Sequence, residues 1–168
     1  MKNKKEEDID VPATAHEVPK GYAVHLWDSA LFDMTVHIYG PIMASPRPRV
    51  TMRGTFMPSN YRTHCNKLGA SLAFARGLQE KQRNEPWRSN SRMHLDLAFW
   101  CPKMPGDLDN LAKTIMDSGQ LHKKEPPGAE LWLNDKQIVS LSVVWIPTTE
   151  PDMAMQTVVR VRLMKDYA

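Results

Sequence analysis

The chain has little of what marks several function classes. It has two cysteines in 168 residues, Cys65 and Cys101, with no CxxC and no clustered histidines. That argues against a zinc site or a disulfide framework and suits a reducing compartment. No run approaches the ~18 apolar residues a membrane helix needs, and MKNKKEEDID has no apolar core of a secretion signal. The expectation is a cytoplasmic protein with no membrane partner. There is no glycine-rich phosphate loop and no internal repeat. Charge of one sign is also scarce, at a net +3. Residues 1–20 hold four lysines against five acids, which leaves about +4 on the remainder. Such an excess permits a nucleic-acid partner without requiring one.

What is present fits one domain with a real core: 42% apolar and 24% charged residues. Residues 1–21 are polar and proline-punctuated and predict a flexible arm, with the domain over 22–168. Residues 22–33 are apolar enough to pack but show no clear period. In MTVHIYG, Met34, Val36 and Ile38 alternate with polar positions, the pattern of a half-buried strand. Pro46 and Pro48 hold the next segment extended, and VTM and TFM flank Arg53-Gly54 as a hairpin. A helix capped by Ser59 or Asn60 is expected to run to about Lys81. Its apolar stripe is Tyr61, Cys65, Leu68, Leu72, Ala75 and Leu78.

RMHLDLAFW is a second strand, with Leu95, Leu97 and Phe99 on one face. CPKMPG breaks it, and a helix follows with Leu108, Leu111, Ile115 and Met116 inward. After the charged loop LHKKEPPGAE come LWL, a turn at Asn134-Asp135, and the strands QIVSLSVVWI and TVVRVRLM. The order predicts an α+β fold, a single mixed sheet with two main helices packed on it.

The stretch GDLDNLAKTIMD crowds Asp107 and Asp109 at the start of that second helix, with Lys113 one turn on. A plain structural reading is available. Asp107 caps backbone N–H groups, Asp109 favours the helix dipole, and Lys113 pairs with Asp109 or Asp117 for ~0.3–0.5 kcal/mol. The same spacing in Asp8-Ile9-Asp10 carries no chemistry. Asp135 supports a second reading. It sits outside an apolar strand, and if that strand pairs with RMHLDLAFW the three carboxylates can meet at one edge. Gathered carboxylates repel unless a divalent cation neutralises them. All-oxygen ligands suit Mg²⁺, with Mn²⁺ as a substitute. Such ions polarise a phosphoryl oxygen and activate water, and a nearby ammonium stabilises the developing charge.

GDLDNLAKTIMD followed by LWLNDKQIVSLSV resembles the RusA family of Holliday junction resolvases, over about residues 34 to 165. The matching positions are Asp107, Leu108, Asp109, Asn110 and Lys113, then Asp135, Gln137, Ile138 and Val139. PRPRVTMRG is similar to the family's arginine-rich N-terminal segment. The resemblance implies a homodimeric, Mg²⁺-dependent endodeoxyribonuclease making paired nicks in four-way DNA, in a bacterial cell or phage-infected host. It assigns metal binding to Asp107, Asp109 and Asp135 and a catalytic role to Lys113. Family members often carry two acids where this chain has Asn134-Asp135. A four-way junction calls for spread phosphate contacts more than base readout. Arg47, Arg49 and Arg53 are the leading candidates, followed by Arg62, Lys67 and Lys103. Arg76 is a weaker one, and Arg160 and Arg162 read better as cover for a sheet face. The competing readings are a metal-dependent nuclease on flaps or forks, and a DNA-binding module whose acids are structural.

Overall fold

A computed structural model describes residues 18–27, 31–46, 49–51, 54–120, 129–149 and 155–164, with backbone alone over 49–51 and 54–56. Seven strands and two α-helices are found among them. In chain order they are β1 (Ala23–Trp27), β2 (Met34–Tyr39), β3 (Arg49–Thr51), β4 (Gly54–Phe56), α1 (Ser59–Arg83), β5 (Met93–Cys101), α2 (Leu108–Gly119), β6 (Ile138–Pro147) and β7 (Gln156–Leu163). Five strands form one sheet in the order β1-β2-β7-β5-β6. All neighbours are antiparallel except β5 and β6, which run parallel. A parallel pair needs a crossover, and α2 supplies it. The fold is therefore the expected α+β arrangement with two helices on a mixed sheet.

Alternation places Met34, Val36 and Ile38 of β2 on one face with Leu95, Leu97 and Phe99 of β5 and Val159 and Val161 of β7, all buried. Leu68, Leu72 and Ala75 of α1 and Leu111, Ala112 and Ile115 of α2 close over that face. Trp132 and Leu131, from the connection into β6, complete the core. Each such side chain contributes roughly 1.5–3 kcal/mol when fully buried.

Several expectations are refined. The unassigned stretch after residue 22 contains β1, an edge strand against β2. The hairpin forms, with Thr51 opposite Gly54. The predicted cap residue, Ser59 or Asn60, lies one or two positions inside the helix, where Asn60 Oδ1 accepts from the Tyr61 N–H at 2.9 Å. Pro58 occupies the cap position, where its fixed φ suits helix entry, and there is no side-chain cap bond. The helix ends at Asn84, whose φ of 53° is a left-handed cap with its N–H on the Glu80 carbonyl. QIV does not begin as a strand, because residues Asp135–Gln137 make one turn of 3-10 helix before β6. Residues 1–17 of the expected arm lie outside the described residues, as do Arg47, Arg53 and loop residues 121–128.

Candidate active site

Strands β2 and β5 both run antiparallel to β7 and so point the same way. Their C-terminal ends, Tyr39 and Cys101, lie at one end of the sheet. From Cys101 the chain crosses Pro102–Gly106 and enters α2 at Asp107. The backbone N–H of Ser45, just beyond β2, donates to the Asn110 carbonyl at 3.0 Å. This pins the start of α2 to the segment that leads into the arginine hairpin. Gly106 makes the contact possible, since a Cβ there would lie 2.5 Å from the Ala44 Cβ.

Asp107 sits at the cap position with an extended backbone (φ −75°, ψ 150°), and its carbonyl accepts from the Leu111 N–H at 3.1 Å. Its carboxylate makes no capping hydrogen bond. The commonest structural use of an aspartate in this place is thus not realised. Asp109, in the first turn, is exposed as well. Neither carboxylate has an ion-pair partner among the described residues. Lys113 does: its Nζ is 3.1 Å from Asp117 Oδ1. Asp117 also accepts from the Tyr61 hydroxyl at 3.2 Å, and burial pushes that phenol's pKa well above its usual value, keeping it a donor. The Lys113 ammonium is therefore drawn along the helix away from Asp109.

Asp135 occupies the other end. The Gly119 carbonyl accepts from the Leu131 N–H at 2.9 Å, and Gln120 bridges to Trp132. A Cβ on Gly119 would meet the Trp132 indole at 2.3 Å, so only glycine lets the returning chain lie there. The turn that follows is clamped by Gln137. Its Oε1 accepts from the N–H groups of Leu133 (2.7 Å) and Asn134 (3.0 Å), and its Nε2 donates to the carbonyls of Ser89 (2.8 Å) and Ser91 (3.0 Å). Asn134 returns the favour by accepting from Lys136, a reciprocal capping box. Gln137 is a positioning residue that the motif contained without revealing its use. The Asn-x-x-Gln spacing was the available signal.

The single chain does not gather the three carboxylates. Because β6 runs parallel to β5, with Ile138 opposite Met93, Asp135 precedes the strand at the end of the sheet remote from Cys101. The length of α2, roughly 18 Å for its twelve residues, separates it from Asp107. Among the described residues no group of three histidine, cysteine or acidic side chains is placed to hold a metal ion. The expected strand pairing forms, but its direction undoes the meeting at one edge that was inferred from it.

The expected DNA contacts divide similarly. Lys103 is exposed in the connection that leads to Asp107, and Arg62 is exposed in the first turns of α1, while Lys67 is half-buried. Only the backbone of Arg49 is described. Arg76 is engaged, 3.4 Å from Glu130 and 3.9 Å from Glu80. Arg160 and Arg162 lie over the Phe32 ring at 5.8 and 5.0 Å, as sheet cover.

A family profile described as Endodeoxyribonuclease RusA matches residues 39–162. The chain belongs to the RusA endodeoxyribonuclease family. It is a crossover junction endodeoxyribonuclease, and RusA nucleases are in general divalent-metal dependent and act on branched DNA. Comparison with curated proteins finds no match. The matched span runs from the last residue of β2 to the last but one of β7, so both halves of the divided acidic set fall inside it.

Proposed function

We propose that this RusA family member is Mg²⁺-dependent and resolves Holliday junctions by paired symmetric nicks, in recombination and repair. The observation that carries the proposal is the start of α2. Asp107 and Asp109 stand exposed at a helix terminus, without a capping bond or an ion-pair partner among the described residues, in a chain of an endodeoxyribonuclease family. Oxygen-only donors fit a hard cation that keeps several of its waters. Asp107 and Asp109 would hold Mg²⁺, and the ion would supply water activation and charge neutralisation at the scissile phosphate.

Asp135 belongs to the same site in this reading, and it arrives from a second copy. Two symmetric nicks call for two sites related by a two-fold axis. A dimer that sets Asp135 of one protomer beside Asp107 and Asp109 of the other resolves the separation within one chain. Lys113 would swing from Asp117 toward the DNA once a phosphate competes for its ammonium. An exposed pair of this kind is weak enough to exchange. Lys103, Arg62, Lys67 and the arginines Arg47, Arg49 and Arg53 would carry phosphate contacts that seat the junction.

The test is cleavage of labelled four-way junction, flap and linear duplex DNA in Mg²⁺ and in EDTA. Symmetric, metal-dependent nicks in the junction are expected. Cleavage of flaps in preference to junctions would replace junction resolution with a broader nuclease role. Binding without cutting would sink the catalytic reading.

A further inference from the structure

Tyr61, the third residue of α1, is buried, and its hydroxyl is shared by three stretches of chain. It donates to Asp117 Oδ2 at 3.2 Å and meets Thr114 Oγ1 at 3.5 Å, both on α2. The Ser45 hydroxyl, from the connection that leaves β2, bonds to the same oxygen and opposes the burial that raises the phenol's pKa. Ser45 and Thr114 are buried too. A buried polar network whose members all find partners holds one arrangement. The connection is the part that needs such holding. Residues 41–46 lie in no helix or strand, so no ladder of backbone bonds sets their place. Within them, Ala44 and Ser45 bracket the two acids. Ala44 packs against Gly106, one residue before Asp107, and the Ser45 N–H donates to the carbonyl of Asn110, one residue after Asp109. Thr114 Oγ1 donates to that same carbonyl at 3.1 Å.

We propose that Tyr61 is a positioning residue for the metal site. Its hydroxyl fixes Ser45 against the start of α2, and Ser45 with Ala44 fixes where Asp107 and Asp109 stand. The inference rests on the reading of those two acids as Mg²⁺ ligands. Asp107 has no capping bond, so the backbone beneath the carboxylates carries their placement. Groups behind the ligands commonly set the affinity of a metal site, because they decide how closely the ligand geometry is kept. The same bond ties the acids to the segment that leads to the arginines, so the metal ligands and the phosphate contacts keep one register. The effect runs through Ser45 and not through Lys113, which Asp117 holds by its other oxygen, Oδ1, at 3.1 Å.

The test is Mn²⁺ binding by the full chain, read from the paramagnetic resonance of the free ion, with no cleavage required. Tyr61→Phe keeps the ring and removes only the hydroxyl. It is expected to weaken Mn²⁺ binding roughly 10-fold, the low end for loss of a group behind a ligand. Ser45→Ala is expected to give a similar loss from the other side of the bond. The double variant should lose little more than either single one, because both changes delete one interaction. Ser71→Ala is the control, removing another buried hydroxyl of α1, one bonded to the Lys67 carbonyl at 2.9 Å. It is expected to cost comparable stability in denaturant and to leave Mn²⁺ affinity unchanged. In cleavage, the Tyr61→Phe deficit is expected at limiting Mg²⁺ and should close at excess Mg²⁺. Unchanged Mn²⁺ affinity in Tyr61→Phe, additive losses with Ser45→Ala, or an equal loss in Ser71→Ala would each overturn the positioning role. Should Tyr61→Phe fail to fold, Ser45→Ala decides alone, and unchanged affinity there overturns it. An unmodified chain that binds no Mn²⁺, with or without junction DNA, would remove the metal reading and this inference together. Tyr61-dependent Mn²⁺ binding without junction cleavage would remove the resolvase reading and leave the positioning role standing.

Discussion

At each end of α2 a glycine lets another segment of chain close on the helix, and an exposed carboxylate lies just past the contact. At the first end Gly106 meets Ala44 and Asp107 follows; at the second Gly119 meets Trp132, and the chain then turns to Asp135. The resemblance stops at how each carboxylate is held. Asp107 and Asp109 are fixed by the helix itself, the one at its cap and the other in its first turn. Asp135 is held by a side chain, Gln137, which ties its turn to the loop before β5. One end is a rigid helix terminus that side-chain changes will barely move. The other is a clamp that a single deletion can loosen. That contrast suits two half-sites that are brought together by association and not by folding.

The largest effects should come from removing either half. Asp109→Asn and Asp135→Asn are each expected to lower junction cleavage on the order of 10³-fold while leaving junction affinity in place, as for loss of a group that acts only on the transition state. Mixing the two variants sharpens the comparison. If each site draws on both protomers, a mixed dimer contains one doubly substituted site and one intact site. Single nicks should then reappear in the mixture. Single-strand nicking that stays at the level of either variant alone would place the two ends of α2 in separate roles.

The glycines come next. Gly119→Ala drives a methyl into the fully buried Trp132 indole and should destabilise the fold by about 1–3 kcal/mol, read from denaturant unfolding. Gly106→Ala meets only the Ala44 methyl, in the segment after β2. Its stability cost should be the smaller of the two, while cleavage falls because Asp107 moves with the displaced helix start. Equal unfolding penalties would mean that the two contacts are less different than their neighbours suggest. Gln137→Ala should cost about 1 kcal/mol and reduce cleavage through the loosened Asp135 turn. Gln137→Glu, which retains the acceptor for Leu133 and Asn134 but not the donor to Ser89 and Ser91, should recover part of both.

The halves of the site were legible in the sequence to different depths. The spacing of Asp107, Asp109 and Lys113 can be read because a helix has one geometry, and the break at CPKMPG fixes where it starts. The alternation of β2, β5 and β7 was equally plain, and with it the α+β fold. What escaped was the direction of β6 relative to β5. An apolar run pairs either way, and the choice depends on how α2 carries the chain across the sheet. The placement of Asp135 follows from that choice alone, so the acids were expected together and are found apart. The exposure of Val139 and Leu141 was hidden for a related reason. An alternating strand announces an apolar face, and it does not announce whether its own chain covers that face.

The smallest effect separates Lys113 from its neighbour. Its bond to Asp117 links two side chains that are 58% and 34% exposed, so water screens much of the attraction. Asp117→Asn should therefore lower stability by only about 0.5 kcal/mol, since the amide oxygen still accepts from Tyr61. Cleavage should stay within about two-fold, because the change releases Lys113 without removing its charge. Lys113→Ala forfeits the same ion pair and should match that stability loss, yet it removes the ammonium proposed to meet the phosphate. Its cleavage rate should fall on the order of 10²-fold. Two variants with the same unfolding curve and different nicking rates would assign the lysine to chemistry. Matching nicking rates would leave it an ordinary helix-surface partner, with the acids at the two ends of α2 carrying the site alone.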